Sequence, residues 1–238
     1  MLRQSLAIVS VVITSHAFII RPTIFLTLNK NMSSSSIDEA AYRLQSKNEV
    51  IEIVDIDNNI LSPATRGEMR ANGWIHRATY AFVRTSNNYF YVQKRSKLKD
   101  YCPGYYDPTP GGVVGAGESY ELTNEREIEE EMGIKNPSLM NHAFTFYYED
   151  ERLKCWGDAW DVVYDGPLKL QEEEVDEVVM MSLNEILDRA ANGELFTPDS
   201  IHAAQLYLKH MNEKGIDLNP TGTAPNVQLI QKEDGKKE

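Results

Sequence analysis

Residues 112–134 read GVVGAGESYELTNEREIEEEMGI, a glycine-rich turn running into a stretch crowded with acid. Positions 118–131 hold seven glutamates (118, 121, 125, 127, 129, 130 and 131) against one cation, Arg126. The pattern predicts a short strand at Gly112 to Val114, then a helix that Gly133 stops. On that helix Glu127 shares a face with Glu130 at i+3 and with Glu131 at i+4. Like charges at these spacings destabilise a helix by roughly 0.2–0.5 kcal/mol per pair. Arg126 can relieve Glu130 at i+4 but cannot neutralise the cluster. A hard divalent cation such as Mg²⁺ can, because it takes carboxylate oxygens and keeps its other positions for water and phosphate. A solvated acidic face is the alternative that any bare charge run allows.

Working outward, Val50 to Ile56 reads as a strand ending in the turn Asp57-Asn58-Asn59. Thr79 to Val83 and Tyr89 to Val92 form a hairpin through Thr85-Ser86-Asn87-Asn88. Tyr101 to Pro110 is a loop rich in proline, glycine and aromatics. Strands follow the acidic helix at His142 to Glu149, Leu153 to Val163 and Glu177 to Met181. Helices at Leu183 to Ala191 and Pro198 to Met211 close the domain, the second with Thr197 as cap and Pro198 at its first position. Strands interleaved with few helices, without regular βαβ alternation, predict an α/β fold: an α/β/α sandwich around a mixed β-sheet.

Of the 238 residues 42% are hydrophobic and 25% charged, the ordinary range for a soluble domain. A net charge of −12 excludes a protein that coats nucleic acid, which needs excess Lys and Arg. It leaves open a phosphorylated small molecule reached through a metal. Cys102 and Cys155 read as ordinary thiols, with no framework or metal spacing. Residues 1–37 contain no Asp or Glu, only Arg3, Arg21 and Lys30 as charges. A basic start, the apolar run Leu6 to Ile13 and small residues at Ser15 and Ala17 lay out a secretory signal. Phe18 and the acid-poor stretch behind it resemble a bipartite plastid presequence, so residues 1–37 are assigned as a targeting presequence. The alternative is a start at Met32 and a cytoplasmic protein. Residues 38–215 form the folded domain, and 216–238, with Pro220, Gly222, Pro225 and a charged end, read as a flexible tail.

The spacing Gly112, Glu118, Arg126-Glu127-Ile128, Glu130-Glu131, Gly133-Ile134 resembles the Nudix signature at every defined position. The resemblance implies a metal-dependent hydrolase that cleaves a diphosphate linkage in a nucleoside diphosphate derivative or related small molecule. It implies that Glu127, Glu130 and Glu131 are catalytic and ligate Mg²⁺ or Mn²⁺, helped by the carbonyl of Gly112, with Glu127 assigned as the base. Glu118 and Arg126 would pair to hold the motif in shape, and Gly133 would end its helix. Relatives often add a carboxylate from a later loop, for which Glu172, Glu173, Glu174 and Glu177 are candidates. His76, Arg95, Lys99 and Glu174 are assigned to substrate binding. Tyr105, Tyr106, Trp156 and Trp160 read mainly as packing.

Over residues 48–212, Thr65-Arg66-Gly67-Glu68-Met69-Arg70, Gln93-Lys94-Arg95, Lys99-Asp100 and Pro103-Gly104-Tyr105-Tyr106-Asp107 resemble the branch containing isopentenyl-diphosphate isomerase and bacterial hydrolases similar to it. An isomerase is therefore the rival, but its cysteine and metal histidine would fall near Gly111 and Val113. A sensor that binds a nucleotide-like ligand without cleaving it is the third reading, against which stands the full set of motif glutamates. No nucleic-acid partner and no stable membrane span are expected; a homodimer is possible by analogy alone.

Overall fold

The structure is a computed structural model and describes residues 34–230. The presequence assignment lies outside the described residues except for Ser34–Ile37, which open helix α1 (Ser34–Asn48). No helix among the described residues is long and apolar enough to cross a membrane.

After α1 come β1 (Val50–Val54), β2 (Ile60–Thr65) and α2 (Arg66–Asn72). The first turn is the expected one: Asn58 sits at φ 64°, and Asp55 Oδ1 accepts the amides of Asp57 (2.9 Å) and Asn59 (2.8 Å). The segment β2–α2 was not anticipated. Its start is nevertheless written in the chain, because Thr65 and Glu68 form a reciprocal capping box with bonds of 3.2 and 2.9 Å. Then follow β3 (His76–Arg84), β4 (Phe90–Arg95), β5 (Tyr106–Asp107), α3 (Tyr120–Met132), β6 (Leu139–Glu149), β7 (Lys154–Val163), β8 (Val175–Met181), α4 (Leu183–Ala191) and α5 (Pro198–Glu213).

The sheet is mixed. β3 runs parallel to β7 from His76↔Cys155 to Arg84↔Val163, and β7 is antiparallel to β6. On the other side β4 is antiparallel to β8. The hairpin strands β3 and β4 pair only at Arg84↔Phe90, next to the turn, and then part. Into that gap the chain inserts β5 along β4 and the segment 110–114 along β3. Thr79 N donates to Gly112 O (2.9 Å), Ala81 N to Pro110 O (3.0 Å) and Val114 N to Arg77 O (2.9 Å). The strand expected at Gly112 to Val114 is therefore a run of isolated contacts with β3, too irregular to be a strand.

Alternation along β3 sends Tyr80 and Phe82 to one face and Ala81 and Val83 to the other. The first face packs on α4 and α5 through Leu183, Ile186, Ala203, Ala204 and Tyr207. The second packs on α3 through Ile128 and Met132, with Trp160, Val162 and Leu168. These are the three layers of the α/β/α sandwich. Tyr105 and Tyr106 pack on the first face and Trp160 is core on the second, in keeping with packing roles.

One expectation, the Thr197 cap, is corrected. Thr197 precedes α5, but its hydroxyl makes no capping bond, and Pro198 alone pre-sets the first turn. Residues 216–230, assigned to a flexible tail, follow the body in defined contacts. Leu218 is buried, Val227 packs beside the α3 face, and Leu168 exchanges backbone bonds with Gln228 (2.8 Å) and Ile230 (2.7 Å). A polar composition conceals this, because the attachment is largely through backbone groups.

Candidate functional site

Ser119 caps α3 by accepting from Leu122 N (3.2 Å), and Gly133 ends it at φ 70°. A Cβ at Gly133 would lie 2.7 Å from Lys169 Cβ, so glycine is required there by space as well as by conformation. Between these caps the helix turns Ile128 and Met132 into the core, and Glu131 goes with them at 1% exposure. Glu127 is nearly covered, whereas the Glu130 side chain is 53% exposed.

The inserted segment supplies the floor. A Cβ on Gly112 would stand 2.3 Å from Glu127 Oε1, so only glycine lets the carboxylate lie against the backbone there. Gly112 O already accepts from Thr79 N and keeps one lone pair. Glu131 Oε2 accepts from Gln93 Nε2 (3.1 Å) and, more loosely, from Gly111 N (3.3 Å). Gln93 was missed from sequence, although an uncharged polar residue following Phe90-Tyr91-Val92 in a buried strand was a signal.

Two cations thread the acids. Arg126 donates to Glu118 Oε2 (3.1 Å), Glu127 Oε1 (2.8 Å) and Glu130 Oε2 (3.1 Å), which realises the expected Glu118–Arg126 pair. Glu118 also accepts from Thr123 Oγ1 (2.8 Å). Lys99 Nζ bridges Glu131 Oε1 (3.3 Å) and Glu174 Oε2, while Tyr42 OH donates to Glu174 Oε1. Among the late glutamates, Glu174 meets the motif through Lys99. Tyr42, on α1, carried no sequence signal because its partner is 132 positions away.

Burial drives the electrostatics. It pushes the Glu127 carboxyl up to about 8, with the charge of Glu131 adding to it. Burial also raises Glu131, against the pull of Lys99. In Glu174 burial is outweighed by Lys99 and Tyr42, which hold the carboxyl below its ordinary range.

Two assigned residues do not join this site. Arg95 is buried and committed to Asp107 Oδ2 (3.0 Å) and the Tyr101 carbonyl (3.1 Å), so it anchors the loop that carries Lys99. His76 is 1% exposed at the start of β3. Burial, with Arg70 and Arg66 nearby, pushes it down to about 3, so it is neutral and cannot grip a phosphate. The structure thus places both apart from the acidic cluster.

Among the described residues no three His, Cys, Asp or Glu side chains already converge as a ligand group for a metal. Arg126 holds one oxygen each of Glu118, Glu127 and Glu130, and Lys99 one each of Glu131 and Glu174. The donors themselves, hard oxygens from several glutamates and a free carbonyl lone pair, fit a divalent cation that displaces those two side chains.

The NUDIX domain family matches residues 74–200. An uncharacterized Nudix hydrolase of Yersinia pestis is 42% identical over 166 residues, covering 70% of this chain and 89% of its own length. The uncharacterized Nudix hydrolase YfcD of Escherichia coli K12 is 40% identical over 167 residues, covering 70% and 91%. The crystal structure of DR0079 from Deinococcus radiodurans superposes with a TM-score of 0.59 at 21% identity, over 66% of this chain and 98% of that one. At that identity it bears on the fold alone.

Proposed function

The chain belongs to the Nudix family and is a hydrolase, and from that premise we propose that it cleaves a diphosphate linkage in a nucleoside diphosphate derivative or related small organic diphosphate. The observation that carries this reading is the contact between Glu127 and the Gly112 backbone, beside Glu131 and within reach of two cations. Glu127, Glu130 and Glu131, with the Gly112 carbonyl and Glu174, would hold the divalent cation, Mg²⁺ or Mn²⁺. When bound, it supplies positive charge that stabilises the charge developing on the phosphate oxygens.

The protein's own groups do the rest. Glu127 would accept the proton of the attacking water as a new P–O bond forms. The bridging P–O bond breaks, and its electrons leave with the second phosphate. Lys99, freed from its carboxylates, and Arg126 are the cations placed to hold the phosphates. The test is phosphate and isomer analysis over a panel of prenyl diphosphates, ADP-ribose, NADH and nucleotides, with and without a chelator. Phosphate release that stops on chelation supports the reading. Isomerised prenyl diphosphate without phosphate release, or chelator-insensitive release, overturns it.

A further inference from the structure

Helix α1 lies outside the matched family domain, yet it touches the acidic site. None of residues 39–48 is buried, and only Tyr42 and Ser46 are even half-buried. A helix whose described side chains, residues 39–48, bring no apolar face to a core is marginal on its own and sits at the low end of local stability. Besides the stem of Lys47 over Gly67, two of its described attachments are hydrogen bonds that land beside the acidic cluster. Tyr42 OH donates to Glu174 Oε1, and Arg43 Nη2 donates to the Lys97 carbonyl (3.2 Å), two residues before Lys99.

Glu174 thus has both oxygens engaged, one by Tyr42 and the other by Lys99, which also reaches Glu131. A cation that takes Glu174 as a ligand needs those same oxygens. We infer that α1 is a latch on the metal site, its docking through Tyr42 and Arg43 competing with divalent-cation binding at Glu174. The inference rests on the metal-site reading proposed above. Competition of this kind is reciprocal: what loosens the helix tightens the metal, and the metal loosens the helix by the same factor. Tyr42 is accordingly a positioning residue for the carboxylate.

The test uses the full chain, with Mn²⁺ as probe. Amide hydrogen exchange in residues 39–48 should speed up on Mn²⁺ saturation. By calorimetry, Tyr42→Phe should bind Mn²⁺ roughly tenfold more tightly, the effect of removing one hydrogen bond to a charged group. Arg43→Ala, a surface change independent of the carboxylate, should shift affinity the same way by a smaller factor. Glu131→Gln controls for the site. If wild-type protein binds no Mn²⁺, or Glu131→Gln binds it undiminished, the metal reading fails and the latch with it. If Mn²⁺ binds in the Glu131-dependent way but helix exchange is unchanged, or Tyr42→Phe stays within twofold of wild type, the latch alone is overturned.

Discussion

Two of the buried carboxylates among the described residues, Asp199 and Glu131, are finished in opposite ways. At the start of α5, Asp199 is fully buried with Tyr80 OH on one oxygen (2.9 Å) and Tyr101 OH on the other (3.0 Å). Burial, with the charge of Asp107 adding to it, raises its carboxyl above the ordinary range. On α3, Glu131 is just as deep, but one of its oxygens faces Lys99, the flexible end of a loop residue. Phenols fixed in a packed core make a sealed lock, whereas an ammonium on a loop can be exchanged for another cation. Burial and a raised carboxyl are common to both; what separates the proposed working site from the Asp199 cluster is whether the partners can leave.

That contrast can be broken by experiment. The largest effect should come from Glu131→Gln, which is expected to cut kcat by roughly a hundredfold or more with the melting temperature nearly kept. A loss under tenfold would take Glu131 out of the working set. Asp199→Asn should do the reverse. With an acceptor lost to Tyr80 or Tyr101, urea unfolding should show a stability loss of about 1–3 kcal/mol, while kcat of the folded enzyme changes less than threefold. A large kcat defect at unchanged stability would erase the distinction between the two clusters.

His76 sharpens the same comparison through pH. Its folded pKa, about 3, lies below the ordinary histidine value of 6.5. The unfolded chain therefore takes up a proton that the folded one refuses as pH falls below 6.5. The stability contribution is complete above that pH and is lost as pH drops toward 3, by about 1.4 kcal/mol per unit within the window. Between pH 7 and pH 5 wild type should lose about 2 kcal/mol more than His76→Gln in urea titrations. Equal slopes would show that the residue is not held neutral. The smallest effect expected is from Mg²⁺, which should raise the melting temperature by about 2–4 °C at concentrations well above its Kd, and not in Glu131→Gln. No shift at millimolar metal would count against a site ready to bind it.

The motif was legible because its chemistry is local: charge spacing, a capped helix and two glycines required by contacts that the sequence itself encloses. The hairpin, the later strands and α4 were legible for the same reason. What escaped notice was set by distance or by backbone. Glu174 could be narrowed to one of four acids but not chosen, because Lys99 selects it from 75 positions away. Tyr42 needed a contact spanning most of the domain. The strand β2 was obscured by Pro63 and by its mostly exposed pattern, which marks an edge and not a core strand. Arg95 and His76 were read as binding groups from their residue types, and only packing shows that both are committed elsewhere.

The long parallel ladder of β3 with β7 also has a consequence in time. Tyr80 and Cys155, which meet across it, are 75 positions apart. A chain emerging from synthesis must therefore make the whole motif before the strand that backs it exists. Parallel pairing over such a separation is slow, since the loop must close before its contacts reward closure. Until β7 arrives, Ile128 and Met132 of α3 have Ala81 and Val83 of β3 to pack on but not Trp160 and Val162, which complete that face. The acidic helix is thus written before the strand that completes the sheet face it packs on.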